Sequence, residues 1–131
     1  LSVGEARQIV GAERLIGVST HGVDQLQQAV LDGANYAGIG PVFPSPTKSF
    51  SQHGGLALLQ KVAAETAMPL FAIGGISLTN VSDVVRVGIR RLAVASAITR
   101  SPNPEKAIKG FRAALAEDDQ RNVSRQSMPV T

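Results

Sequence analysis

Four short runs of the chain are apolar on consecutive positions rather than on alternate ones. They are Leu15–Val18, Tyr36–Ile39, Leu70–Ile73 and Leu92–Ala95. Consecutive apolar positions over so few residues are typical of strands in a parallel sheet that is covered on both faces. The pattern therefore predicts four parallel strands, each buried on both sides.

The segments between these runs carry apolar residues at helical spacing. The predicted helices are Glu5–Val10, Val23–Leu31, Leu56–Ala64, Val81–Val87 and Pro104–Leu115. Glycines in "DGA" and "VGI" stand where a helix ends before the next strand, and a proline begins the last helix, where its missing N–H costs nothing. Alternating strands and helices predict a parallel sheet with helices outside it, either open and doubly wound or part of a barrel.

The length of the chain limits how much of such a fold it can contain. Its 131 residues, 44% of them hydrophobic, suit one domain. A barrel of eight strand–helix units needs about 250 residues and rarely fewer than about 200. We predict one domain over residues 1–116 and, because residues 117–131 are polar and aperiodic, a disordered tail over 117–131.

Composition narrows the possible settings and partners. The chain has no cysteine, which excludes disulfides and thiolate metal sites, and no apolar run reaches the roughly 18 residues of a membrane span. The first residues lack the features of a signal peptide, so we expect a cytoplasmic protein. They also lack an initiator methionine, which leaves open a processed chain, a fragment and an excised piece. The net charge is +3, the basic residues are scattered along the chain, and aromatic residues make up 4%, which together disfavour a nucleic-acid partner. A small phosphate ligand or a solvated surface explains the positive charge equally well.

Small and polar residues follow the predicted strands, where active sites of such folds gather. Gly74 and Gly75 follow the third strand, and Ser96 follows the fourth. Adjacent glycines let a phosphate approach backbone N–H groups, although they also suit a plain tight turn. His21, after the first strand, is either a general acid or base or a structural residue. No carboxylate stands at a strand end, so we expect no metal site within this chain.

The loop after the second strand is long, polar and rich in proline. Three prolines restrict its conformations before Thr47 and Lys48, which offer a hydroxyl and an ammonium group. This combination suits a lid that binds a polyanion, but an ordinary proline-rich turn has the same composition.

Four motifs then suggest a family. They are "GVSTH" from Gly17, "GPVFPSPTK" from Gly40, "AIGGI" from Ala72 and "VASAI" from Val94. In this order and spacing they resemble thiamine-phosphate synthases over residues 1 to about 116. The resemblance implies an α/β fold that is the C-terminal half, about four βα units, of a TIM (β/α)8 barrel. It also implies a transferase of thiamine biosynthesis, which couples hydroxymethylpyrimidine diphosphate to thiazole phosphate and releases pyrophosphate with the help of magnesium.

The same resemblance implies a role for eight residues. Lys48 is the expected catalytic residue, on the departing pyrophosphate, and Ser19 joins it in binding the pyrimidine diphosphate. The expected thiazole phosphate site consists of Ser45, Pro46 and Thr47, with Gly75, Ala95 and Ser96 at the phosphate end. Ser45 stands where the family often has threonine, which keeps the hydroxyl.

The family's first four strands have no counterpart in this chain. We therefore expect the magnesium ligands to lie in the missing N-terminal half and the fragment alone to be inactive. Two open sheet edges and an unfilled interior face of the half-barrel predict association, as a homo-oligomer or with the missing half-barrel. Two alternatives remain: a thiazole tautomerase-like enzyme that relies on a histidine near His21, disfavoured by the intact Thr47 and Lys48, and a non-catalytic phosphate-binding module.

Overall fold

The computed structural model describes residues 1–43 and 54–126, and the side chains of residues 1–43 and 55–117. It contains one parallel sheet whose strands follow the order of the chain, β1-β2-β3-β4. The strands are β1 (Gly17–Thr20), β2 (Tyr36–Ile39), β3 (Leu70–Ile73) and β4 (Leu92–Ala93). The helices are α1 (Val3–Val10), α2 (Val23–Leu31), α3 (Gly54–Glu65), α4 (Val81–Arg86), α5 (Ser96–Thr99) and α6 (Pro104–Gln126). The predicted alternation of strands and helices is confirmed.

Local sequence signals account for several helix ends. Helix α1 begins with a capping box, in which the Ser2 hydroxyl accepts from the Glu5 N–H and the Glu5 carboxylate accepts from the Ser2 N–H. The Asn103 side chain accepts from the Lys106 N–H at 3.0 Å and caps the start of α6. Gly88 follows α4 with a φ of 97°, a conformation that favours glycine.

Two strands differ from their predicted bounds. Strand β1 runs from Gly17 to Thr20, so its start and its end both lie two residues after the predicted ones. Before the strand, Ile16 bonds to Asn35, partly through the Asn35 side chain. The Asn35 side chain accepts from the Ile16 N–H at 2.8 Å, and the Asn35 N–H donates to the Ile16 carbonyl at 2.8 Å. Strand β4 ends at Ala93, because the chain then turns into α5.

Helix α6 continues to Gln126, well beyond its predicted end at Leu115. This differs from the expectation of a disordered tail over residues 117–131, of which 127–131 lie outside the described residues. After residue 116 the sequence loses its apolar stripe but has no glycine or proline up to residue 126, and an apolar stripe reports burial rather than helicity. The domain boundary itself remains a prediction.

Among the described residues, helices cover only one face of the sheet. On that face Thr20, Ala37, Ile39 and Ala72 are each at most 1% exposed, and they pack into a core with residues of the helices. On the opposite face Tyr36, Ser19 and Ile73 are exposed, Ile73 by 47%. The prediction that the strands are buried on both faces is therefore wrong for this chain, since side chains alternate between a covered and an open face.

Candidate functional site

The carboxyl ends of all four strands meet at one edge of the sheet because the strands are parallel. A cavity of about 280 Å³ opens there between the ends of β3 and β4. Its lining consists of Ile73, Gly74, Gly75, Ile76, Ala93, Val94, Ala95 and Ser96. Most of this lining is apolar or backbone, with the hydroxyl of Ser96 as its one side-chain polar group among the described residues.

The cavity brings together three of the eight residues to which the family resemblance assigns a role. Gly75, Ala95 and Ser96 all line it. Ser19 lies on β1, paired with Gly38 of β2, and is not part of this lining. The remaining predicted site residues lie outside the described residues; these are Ser45, Pro46, Thr47 and Lys48. The role of each of these residues stays a prediction.

The glycine pair after β3 is closely packed against another segment of the chain. Gly74 and Gly75 have φ values of 101° and 67°. A Cβ on Gly74 would lie 2.7 Å from the Cα of Pro41, and a Cβ on Gly75 would lie 2.7 Å from the carbonyl oxygen of Phe43. Backbone conformation and packing thus both require glycine here, independently of any ligand.

Asn80 holds the turn that follows the glycine pair. Its Nδ2 donates to the Gly75 carbonyl at 2.9 Å, and its Oδ1 accepts from the Ser77 N–H at 2.8 Å. The first of these bonds fixes the peptide unit that begins at Gly75, which lines the cavity. Asn80 directly precedes the first residue of α4.

The segment 40–43 crosses from β2 to the end of β3. The Gly40 N–H donates to the Thr20 carbonyl at 3.2 Å, the Val42 N–H to the Ile73 carbonyl at 3.0 Å, and the Phe43 N–H to the Gly74 carbonyl at 3.1 Å. These three bonds connect the ends of β1, β2 and β3. The segment therefore packs directly against the glycine pair and bonds to the backbone of Gly74.

His21 contacts this segment from the other side. Its Nδ1 lies 2.5 Å from the Gly40 carbonyl oxygen, and since a carbonyl only accepts, Nδ1 carries the proton of this bond. The backbone N–H of His21 donates to Oε1 of Gln25 at 2.8 Å. Sequence reasoning missed the contact with Gly40, because the two residues are 19 positions apart and only the fold brings them together.

The described residues contain no group of three or more His, Asp or Glu side chains that could hold a metal ion. A magnesium ion needs several oxygen ligands in near-octahedral geometry, so this part of the chain does not fit a magnesium site of its own. Within the same residues no helix is long and apolar enough to cross a membrane.

Most of this chain aligns with thiamine-phosphate synthases of other organisms. It is 46% identical over 119 residues to a thiamine-phosphate synthase of Acidothermus cellulolyticus, covering 88% of this chain and 56% of the relative. A thiamine-phosphate synthase of Rhodopirellula baltica is 42% identical over 120 residues, covering 88% of this chain and 32% of the relative. The chain thus spans only a third to a little over half of these relatives.

A solved structure agrees with the sequence relatives. Thiamine phosphate pyrophosphorylase from Pyrococcus furiosus superposes with a TM-score of 0.80 at 30% identity, over 89% of this chain and 55% of that one. The fold is therefore similar to that of a thiamine-phosphate synthase. The family model for thiamine monophosphate synthase matches residues 1–98. These matches show that the chain belongs to the thiamine monophosphate synthase family.

Proposed function

We propose that this chain is the C-terminal half of a TIM barrel and that its parent is a thiamine-phosphate synthase. The parent couples hydroxymethylpyrimidine diphosphate to thiazole phosphate and releases pyrophosphate. Family membership supports the reaction, and the coverage of about half of the relatives supports the half-barrel. Relatives named as synthases favour this function over a tautomerase-like enzyme or a non-catalytic module.

The cavity between β3 and β4 is the observation that carries the proposal for this chain. It brings Gly75, Ala95 and Ser96 to one place, as the family resemblance requires for the phosphate end of the thiazole substrate. The Ser96 hydroxyl can donate to a phosphate oxygen, and backbone N–H groups at the ends of strands can do the same. We assign the thiazole phosphate to this cavity.

The chemistry at the other substrate depends on Lys48. When the bond to pyrophosphate breaks, the pyrimidine is left as a methylene cation and negative charge develops on the leaving oxygens. An ammonium group placed there stabilises that charge electrostatically. The proposal keeps Lys48 as the catalytic residue, Ser19 as a contact of the diphosphate, and Ser45, Pro46 and Thr47 as contacts of the thiazole substrate.

Magnesium belongs to the proposal for the parent enzyme, since the described residues of this chain do not supply a site. Bound there, it would neutralise part of the charge on the diphosphate. Its ligands would come from the half of the barrel that this chain does not span. Removal of magnesium with a chelator should abolish turnover by the parent and leave phosphate binding by this chain unchanged.

The open face of the sheet supports an association partner. Tyr36 and Ile73 are 37% and 47% exposed on this face, which none of the described helices covers. Large apolar side chains on an uncovered sheet favour association. We propose that the missing half-barrel or a second copy of this chain covers the face; sedimentation of the chain, alone and mixed with a separately produced N-terminal half, distinguishes the two.

The phosphate site is tested by isothermal titration calorimetry, in which this chain is titrated with thiazole phosphate and, separately, with inorganic phosphate. We expect both to bind, and Ser96→Ala to weaken binding about five- to tenfold through the loss of one hydrogen bond. Ser82→Ala is the matched control, because Ser82 is exposed on α4 and outside the cavity lining. Equal weakening by both variants, or no binding by the wild type, would contradict the proposal.

A cytoplasmic location is also proposed, because the substrates of this family are small phosphorylated metabolites. Fractionation of cells that express the parent at natural levels tests it.

A further inference from the structure

We infer that His21 is a positioning residue for the phosphate site, an inference that rests on the function proposed above. His21 acts through the Gly40 carbonyl, which its Nδ1 approaches to 2.5 Å. This role requires only a donor at the position of Nδ1. It differs from acid–base chemistry, which would use the other ring nitrogen, Nε2.

The first step of the argument is that His21 fixes the start of segment 40–43. Gly40 is held on its N–H side by the Thr20 carbonyl at 3.2 Å and on its carbonyl side by the His21 ring. Among the described residues, the imidazole is the one side chain that bonds to the backbone of this segment. Thr20 itself is 1% exposed and donates from Oγ1 to the Gly38 carbonyl at 2.9 Å. The carbonyl that accepts from the Gly40 N–H therefore belongs to the buried end of β1.

The second step is that segment 40–43 fixes the glycine pair. Pro41 and Phe43 approach Gly74 and Gly75 so closely that no Cβ fits on either glycine. The Phe43 N–H also donates to the Gly74 carbonyl at 3.1 Å. A displacement of the segment therefore moves or frees these glycines.

The third step is that the glycine pair forms a wall of the cavity. Gly74 and Gly75 line it together with Ala95 and Ser96. A chain of direct contacts thus runs from the His21 ring to the proposed phosphate site. Loss of the His21 bond should loosen this wall without touching the ligand.

Two substitutions separate the two ring nitrogens of His21. Asparagine places its amide nitrogen near the position of Nδ1, and glutamine places its amide nitrogen near that of Nε2. We expect His21→Asn to keep the bond to Gly40, and His21→Gln to lose it as completely as His21→Ala does. Both substitutions are polar and uncharged, so each serves as the control for the other.

The first measurement is amide hydrogen exchange of the 131-residue chain at Val42 and Phe43, whose N–H groups donate to β3 and to Gly74. Exchange should be as slow in His21→Asn as in the wild type and about tenfold faster in His21→Gln and His21→Ala. Slow exchange in His21→Gln, or fast exchange in His21→Asn, would overturn the inference. Exchange within α6, far along the chain, reports whether each variant remains folded.

The second measurement is the affinity for inorganic phosphate. The Kd should stay within about twofold in His21→Asn and rise about five- to tenfold in His21→Gln. A loss of affinity in His21→Asn with unchanged exchange would show that Nε2 acts on the ligand and would overturn the positioning role. If the wild type binds no phosphate but exchange follows the expected order, the proposed phosphate site fails while the contact of His21 with the segment is supported.

Discussion

The aromatic ring of Tyr36 lies directly over Gly17 on the open face of the sheet. The two residues are paired between β1 and β2, and a Cβ on Gly17 would lie 2.2 Å from ring atoms of Tyr36. The same ring meets Phe71 edge to face, with 5.5 Å between ring centroids. Glycine at position 17 thus makes room for an aromatic pair that spans three strands.

Gly17→Ala should destabilise the chain by about 1 kcal/mol, because the Tyr36 ring has to move and gives up its contact with Phe71. The ring is the far end of a flexible side chain, so the cost stays modest. In a Tyr36→Ala background the same substitution should cost nothing further. Urea unfolding of the two single variants and the double variant measures this non-additivity.

Gly4→Ala is the control for that series. Gly4 lies in α1, where a Cβ would meet nothing closer than Ser2 Oγ at 3.9 Å. Alanine there should be neutral or stabilise by up to about 1 kcal/mol. Equal effects of Gly17→Ala with and without the Tyr36 ring would contradict the proposed contact.

Gly74→Ala should destabilise the chain more than Gly88→Ala. Both glycines have positive φ, 101° and 97°, and share the backbone strain of about 1–2 kcal/mol that a Cβ introduces there. A Cβ on Gly88 meets nothing within 4 Å, whereas one on Gly74 would meet the backbone of Pro41 at 2.7 Å. Gly74→Ala should therefore lower the free energy of unfolding by about 1–3 kcal/mol more than Gly88→Ala does, and this difference is the cost of the clash with Pro41. Thermal unfolding of the two variants measures it. Equal costs would mean that segment 40–43 does not rest on Gly74.

Asn80→Asp should weaken inorganic phosphate binding almost as much as Asn80→Ala. Aspartate keeps the acceptor for the Ser77 N–H but loses the donor to the Gly75 carbonyl, which faces the new charge. We expect a Kd about five- to tenfold higher for both variants. Full affinity in Asn80→Asp would show that the bond to Gly75 does not shape the cavity. Helix content by circular dichroism controls for the start of α4.

Acidification should weaken the start of α1. Hydrogen bonds from the Ser2 backbone N–H, and then from the Ser2 hydroxyl, lower the pKa of the Glu5 carboxyl below the ordinary value of a glutamate. A lowered pKa in the folded state means that the charged form stabilises α1 above the unfolded pKa and that this contribution is lost as the pH falls through the folded pKa. In thermal unfolding, Glu5→Gln should therefore have a lower Tm than the wild type at pH 7 and the same Tm near pH 2. A difference that persists at pH 2 would contradict the role of the charge.

Lys48→Ala in the parent protein should lower kcat by about 10²- to 10³-fold with a smaller effect on the KM for thiazole phosphate. In the proposed reaction, charge on the departing pyrophosphate develops mainly in the transition state. Lys48→Arg keeps the charge and should recover part of the rate. Steady-state kinetics measures both; unchanged turnover in Lys48→Ala would remove this residue from the catalytic role. Lys61→Ala, on an exposed part of α3, is the control.

Much of the fold could be predicted from the sequence because it depends on local patterns. Strands β2 and β3 and helix α2 have their predicted bounds, since each is a periodic or continuous apolar segment closed by a turn signal such as Gly33. The end of α6 could not be predicted from apolar spacing, because helix propensity continues after the apolar stripe stops. The strand pattern could not show the open sheet face, because consecutive apolar positions look the same whether or not a partner covers that face. Only the family resemblance predicted an unfilled face.

The family, the alternation of strands and helices, and the chemical types at the strand ends follow from the sequence alone, because motifs and periodicity are properties of neighbouring residues. Which of these residues meet depends on the tertiary structure. It joined Gly75 to Ser96 in one cavity, laid Pro41 against Gly74, and placed the His21 ring on the Gly40 carbonyl. Contacts of this kind depend on the register of parallel strands and on the path of the chain between them, which no local pattern encodes.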